Sequence, residues 1–346
     1  MLYQQIIKPL LFKFEPEKVH DFFVSLGEFL GRYSVTRALT GLVYNYHGKE
    51  IGKTVDGIYY RTPIILSAGF DYNARLTRIL PYLGFGGVEV GSVTARPCAG
   101  NPSPRLIRLP LSKSIVVNKG LRNDGVDAII KRLQSTPREK DFVIGVSIAR
   151  TNDMLCTDTE GGIADYEYSL RRLCEAGVGD YYTINISCPN AFGGETFTTP
   201  ELLEPLLKRL KTIPCTKPTY VKMPINLPWE QIDQLIALVD QVGYNGVVIG
   251  NLNKDYSSIK NDPQKPEQFL GGLSGKPCFD LSNALIAKAS KKYGDRLTII
   301  GCGGILSPQD AQTKIAAGAD LLQLMTGMIF EGPALIARIC KVGGVV

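Results

Sequence analysis

The chain has 346 residues, of which 44% are apolar and 21% charged, with a formal net charge of +6 at pH 7. Such values suit a soluble protein with a large buried core. The mild, interspersed positive charge does not indicate a nucleic-acid partner, though it suits an anionic ligand or a membrane surface, and no apolar run approaches the roughly 18–20 residues of a membrane-crossing helix.

In chain order, the first 50 residues form an N-terminal extension. Val19, Phe22, Phe23, Leu26, Phe29 and Leu30 follow i, i+3, i+4, i+7 spacing, which predicts a helix with one strongly apolar face. The segment Val35–Tyr46 repeats that character. Two readings stay open: a helical cap packed on the rest of the protein, or an amphipathic pair (residues 1–46) lying on a membrane surface and admitting an apolar co-substrate.

Residues 51–346 alternate short β-branched runs with helical patterns. Strands are predicted at Pro63–Ser67, Gly87–Gly91, Phe142–Ile148, Tyr181–Ile186, Thr219–Met223, Gly246–Gly250, Leu297–Gly301 and Asp320–Leu324. Each is a nearly continuous apolar run, as expected of parallel strands covered on both faces. The helices predicted after them are Asn73–Leu83, Asp124–Gln134, Ile163–Ala176, Pro200–Leu210, Pro228–Val242, Ser282–Lys292, Ser307–Ala316 and Pro333–Val342. Ser307-Pro308 is a helix-start signal, and Gly177, Gly243 and Gly318 stand where helix-ending glycines belong. Eight such units predict a (β/α)₈ TIM barrel, class α/β, in preference to an open doubly wound sheet. Two excursions, Val93–Asn123 and Asn251–Phe279, follow strand ends and so should lie over the C-terminal mouth, where barrel active sites are built.

The eight cysteines form no CxxC pair, which argues against a metal site with local ligand spacing and for reduced thiols in the cytoplasm. His20 and His47 are the only histidines, so proton chemistry should fall to another residue type. The loops after strands seven and eight, Gly301-Cys302-Gly303-Gly304 and Met325-Thr326-Gly327, are the usual barrel phosphate site. Strand four ends in Asn185-Ile186-Ser187-Cys188-Pro189-Asn190, a thiol between two carboxamides. Carboxamides suit a heterocycle with alternating C=O and N–H groups, and Cys188 is the candidate base through its thiolate. Lys222 ends strand five as an unpaired cation expected to face an anion or an electron-rich ring, and Asn251 adds a carboxamide to the same rim.

These residues resemble the dihydroorotate dehydrogenases. Phe14-Glu15-Pro16-Glu17 with His20 is similar to the N-terminal signature of the quinone-using class 2 enzymes. The ordered motifs Ala68-Gly69-Phe70-Asp71, Thr94 with Arg96-Pro97, Gly100-Asn101-Pro102 with Pro104-Arg105-Leu106, and Gly271-Gly272-Leu273-Ser274-Gly275 extend the likeness over nearly the whole chain. The resemblance implies FMN held by Ala68, Gly69, Ser92, Asn185, Lys222, Gly275, Gly304 and Thr326, with Ser147, Gly250 and Met325 standing where the family has Asn, Thr and Tyr. It implies a pyrimidine held by Asn118, Asn185, Asn190 and Asn251, a base that takes the C5 proton, hydride transfer from C6 to flavin N5, and a quinone as acceptor.

The chain departs from the class 2 pattern at two chemical positions. Cys188 stands where class 2 has Ser and resembles the soluble class 1 base, and Tyr72 stands where the family places an active-site Lys. Lys119 or Arg122 is expected to supply the missing charge. Two other activities are weighed against dihydroorotate oxidation: an FMN enzyme acting on another dihydropyrimidine or cyclic amide, and a non-redox barrel binding a phosphorylated ligand.

Overall fold

The structure is a computed structural model that describes residues 2–156, 158–188, 197–259, 261–268 and 270–342. After a π-helical turn at Tyr3–Ile7 come α1 (Lys8–Leu11), α2 (Pro16–Arg32) and α3 (Ser34–Tyr44), then a hairpin of β1 (Lys53–Val55) and β2 (Ile58–Tyr60). The central part holds β3 (Ile64–Leu66), β4 (Gly87–Val93), β5 (Leu106–Leu109), β6 (Ser114–Val117), α4 (Val126–Ser135), β7 (Val143–Ile148), α5 (Thr159–Ala176) and β8 (Tyr181–Asn185). The C-terminal half adds α6 (Pro200–Lys211), β9 (Thr219–Met223), α7 (Trp229–Val242), β10 (Gly246–Ile249), β11 (Gly272–Gly275) and α8 (Phe279–Tyr293). It ends with β12 (Thr298–Cys302), α9 (Pro308–Ala316), β13 (Leu321–Leu324), α10 (Thr326–Glu331) and α11 (Leu335–Lys341).

Strands β3, β4, β7, β8, β9, β10, β12 and β13 pair in parallel, in that order, and close on themselves. This is the expected (β/α)₈ barrel. Strand periodicity sorts its interior into layers. Near the N-terminal end, Ile65, Val143, Tyr181, Tyr220, Val248, Ile300 and Leu321 pack together with Val55 and Tyr60 of the hairpin, so the bottom is sealed. Two residues further along the strands the interior turns polar, with Ser67, Glu89, Thr183, Lys222 and Gln323 all buried. The two excursions come together as one antiparallel sheet, β5-β6-β11.

Two expectations need correction. Residues 73–83 form no α-helix: only a 3₁₀ turn, Leu80–Leu83, stands between β3 and β4. Ala74 has a positive φ of 57°, which no residue of a right-handed helix can adopt, and Pro81 would stand inside the predicted helix without an N–H to donate. The apolar face of α2 is also divided. Val19, Phe23, Leu26 and Leu30 face inward onto a cavity of about 320 Å³, whereas Phe22 and Phe29 are more than half exposed.

Candidate functional site

The mouth is built on a buried carboxylate that the sequence reading passed over. Glu89 in β4 is fully buried, and its Oε2 accepts hydrogen bonds from Gln323 Nε2 (2.7 Å), Thr183 Oγ1 (2.8 Å) and the Tyr181 hydroxyl (3.3 Å). Its Oε1 has no hydrogen-bond partner and lies 3.8 Å from Lys222 Nζ. Lys222 is therefore not the unpaired cation expected. The available signal was a lone acid at an inward-facing position of the apolar run Val88-Glu89-Val90.

Above this pair the rim residues form one network. Asn185 Nδ2 donates to Ser92 Oγ at 2.8 Å, and the Ser92 and Ser147 hydroxyls meet at 2.7 Å. Asn251 Nδ2 donates to Ser187 Oγ (2.6 Å), the Ser187 carbonyl (2.9 Å) and Asn185 Oδ1 (3.3 Å), while Ser187 Oγ donates to the Lys222 carbonyl at 3.0 Å. Ser187, to which the sequence gave no role, is the joint between strand ends β8, β9 and β10. Cys188 follows it, half-buried, near the Tyr166 phenol, which burial above all holds above its ordinary range, with a smaller push from Cys188. Tyr166 in turn donates to the Asn185 carbonyl at 2.7 Å.

Ala68, Lys222, Gly250, Asn251, Gly275, Gly304, Met325 and Thr326 line one pocket. Gly304 has a φ of +75°, and a Cβ there would lie 2.5–2.9 Å from the Cβ, Cα and N of Phe279, so the loop after β12 can pass the start of α8 only as glycine. Thr326 donates to Ser274 Oγ at 2.9 Å, tying α10 to β11. Gly69 donates its N–H to the Gly91 carbonyl at 2.7 Å. Asn118, at the end of β6, belongs to another cluster, accepting from Asn101 Nδ2 at 2.8 Å. Asn190 lies outside the described residues.

Tyr72 turns toward α2. Its hydroxyl reaches Asp21 at 3.2 Å, its ring stacks on His20 at 5.6 Å, and Lys119 Nζ stands 4.6 Å from its centre. Of the two expected cations, Arg122 is ion-paired with Glu17 (3.1 Å) and Asp21 (3.5 Å). Lys119 is buried, 3.4 Å from His20 Nδ1, with no carboxylate within 4.0 Å among the described residues. Burial pushes its ammonium down to about 8 and lowers His20 as well. His20 also lines the apolar cavity, with Phe12, Phe70, Leu106, Arg108 and Met328. The Arg108 guanidinium there is held by the Leu11 and Phe14 carbonyls (3.1 and 3.0 Å) and lies over the Phe12 ring. Among the described residues, no His/Cys/Asp/Glu group is placed to hold a metal ion, and no helix is long and apolar enough to cross a membrane.

The fold and site thus define a (β/α)₈ barrel with a polar, carboxamide-lined mouth backed by a helix-roofed apolar cavity. A sequence model of the family described as "Dihydroorotate dehydrogenase" matches residues 51–342. The chain is 35% identical to "Dihydroorotate dehydrogenase (quinone)" of Alkalilimnicola ehrlichii, covering 97% of each chain. It is 36% identical to the protein of the same name from Burkholderia thailandensis, over 96% of this chain and 94% of the relative. The crystal structure of the Eimeria tenella dihydroorotate dehydrogenase in complex with ferulenol superposes with a TM-score of 0.81 at 26% identity, covering 94% of this chain and 89% of that one. The chain belongs to the dihydroorotate dehydrogenase family.

Proposed function

We propose that this chain oxidises dihydroorotate to orotate in the barrel mouth, with FMN as resident cofactor, and passes the electrons to a quinone in the apolar cavity. One observation carries the reading: the two cavities lie back to back on shared elements. Ala68 lines the mouth and Phe70, two residues on, lines the apolar cavity; Met325 and Thr326 line the mouth, while Met328 and Ile329 line the cavity. An electron carrier seated in the mouth would reach an acceptor in the cavity across one short loop and the start of α10. The relatives' printed name, with "(quinone)", and the match through the N-terminal helices support the same division.

The mouth fits a flavin phosphate and ring. The unpartnered Glu89 Oε1 and the Lys222 ammonium lie buried beneath the pocket, and Gly275, Gly304 and Thr326 bound it. Ala68, Gly69, Ser92, Ser147, Asn185 and Lys222 would hold the ring side, with Gly250 and Met325 beside it. Bound FMN supplies the hydride acceptor. Asn185, Asn251, Asn118 and Asn190 orient the pyrimidine, and Cys188 Sγ takes the C5 proton as the C6 hydride leaves. Lys119, not Arg122, supplies the positive charge for the substrate carboxylate, because Arg122 is already paired with Glu17 and Asp21.

We read residues 1–50 as a helical extension on a barrel of residues 51–346. Its exposed apolar side chains, Leu10, Phe14, Phe22, Phe29, Leu39 and Leu42, would rest on the cytoplasmic face of a membrane that stores the quinone. Steady-state assays with a short-chain quinone test the reading. Orotate should form from dihydroorotate, with much less turnover of uncharged dihydrouracil. Turnover of dihydrouracil alone, or of neither, would overturn it.

A further inference from the structure

Lys314 is fully buried in α9, and its ammonium donates to Ser282 Oγ (2.6 Å) and Asn283 Oδ1 (2.7 Å). Ser282 ends the first turn of α8 and Asn283 begins the second. A cation at the positive end of a helix is opposed by the helix dipole, and a neutral side chain of similar length would fill the space without that cost. No carboxylate lies within 4.0 Å of the ammonium among the described residues. The chain nonetheless makes room for it: a Cβ at Gly301 would stand 2.8–2.9 Å from the Lys314 methylenes, so strand β12 passes over the lysine stem only as glycine.

The charge sits behind the loop that faces the proposed flavin phosphate. Ser282, which receives the Lys314 proton donor, donates in turn to the Phe279 carbonyl (3.1 Å) and weakly to the Gly303 carbonyl (3.5 Å). A Cβ on Gly303 would lie 3.3 Å from the same hydroxyl, and Gly304 packs on Phe279. We propose that Lys314 is a positioning residue for the cofactor phosphate: a buried cation that never touches the anion but, with the start of α8, biases the Gly303–Gly304 loop toward a doubly negative group. The inference rests on the FMN reading above. The offset charge of the phosphate accounts for a buried ammonium set among neutral partners.

Burial pushes the Lys314 ammonium down to about 8. The ionisable groups acting on it are Cys302 on β12, Cys278 before α8, whose own thiol burial pushes up to about 12, and Asp310 on its own helix. The lysine charge is therefore present near neutrality and fades as the pH rises through about 8.

The test is flavin binding to the full chain stripped of flavin, followed by fluorescence quenching with FMN and with riboflavin, which lacks the phosphate. Lys314→Met should weaken FMN at least about tenfold while leaving riboflavin unchanged. Equal weakening of both flavins, or of neither, overturns the proposal. If the variant does not fold, the wild-type chain decides: its preference for FMN over riboflavin should shrink between about pH 7 and about pH 9.5, where the phosphate stays doubly charged. A constant preference over that range overturns the proposal. Failure of the wild-type chain to bind either flavin overturns the FMN reading and this inference with it.

Discussion

Lys222, lining the barrel mouth, and Lys119, under the N-terminal helices, are both buried ammonium groups, yet they are held in opposite ways. Lys222 stands over a carboxylate that reaches across the barrel interior from β4, three strands away, in a floor where polar groups from several strand ends bond to one another. Lys119 stands against an aromatic ring and an imidazole, where a loop meets the N-terminal helices. The floor is fixed by strand register and holds its own charges. The roof is assembled from parts distant in sequence and holds Lys119 with no carboxylate within 4.0 Å among the described residues. The polar strand-end network belongs to the floor, and Tyr72 and Lys119 meet at the roof.

The comparison is broken most sharply at the mouth. Cys188→Ala should slow flavin reduction by dihydroorotate about 10³-fold without releasing FMN; rapid-mixing absorbance measures this, and near-normal reduction would return Cys188 to a packing role. Cys188→Ser should restore part of the rate, with its plateau moved to higher pH because a hydroxyl is a far weaker acid than a thiol. In the floor, Glu89→Leu strips Lys222 of its buried partner and should cost roughly 3–5 kcal/mol in urea unfolding. A loss under about 1 kcal/mol would mean that the 3.8 Å pair contributes little.

At the roof the effects should be smaller and separable. Leu26→Trp fills the apolar cavity and should lower turnover with quinone about tenfold, while flavin reduction by dihydroorotate stays normal. Equal slowing of both half-reactions would detach the cavity from the acceptor. Lys119→Met should raise the KM for dihydroorotate about tenfold and leave that for quinone unchanged. In the wild-type chain the same KM should climb above pH 8, because Lys119 is charged below that value and neutral above it. The linked stability has the opposite trend. A lysine whose folded pKa is lowered binds its proton better when unfolded, so the unliganded chain should gain stability as pH rises from about 8 toward the ordinary lysine range. Thermal unfolding across that window checks the sign.

Much of the floor was legible because strand ends carry their own chemistry. Asn185, Asn251, Ser92 and Ser147 stand at or beside inward positions of apolar runs, and parallel register brings them together without long-range information. Glu89 was missed because an acid within Gly87-Val88-Glu89-Val90-Gly91 reads as part of a strand, and its partners Thr183 and Gln323 lie about 90 and about 230 residues away. The Asn73–Leu83 helix failed for a local reason, since Ala74 takes a left-handed φ of 57° and Pro81 interrupts the segment. The roof was least legible. Periodicity showed that α2 is amphipathic but not that Phe23 and Leu26 cover a cavity while Phe22 and Phe29 stay outside. That division depends on what the helix packs against, which spacing does not encode.

The central claim is that mouth and cavity are two halves of one electron path. Anaerobic mixing with dihydroorotate, followed by separate additions of quinone, fumarate and NAD⁺ to the reduced enzyme, tests it most directly. Flavin absorbance should bleach with dihydroorotate and return rapidly with quinone alone. Flavin that dihydroorotate leaves unbleached, or that fumarate or NAD⁺ reoxidises faster than quinone does, would contradict it.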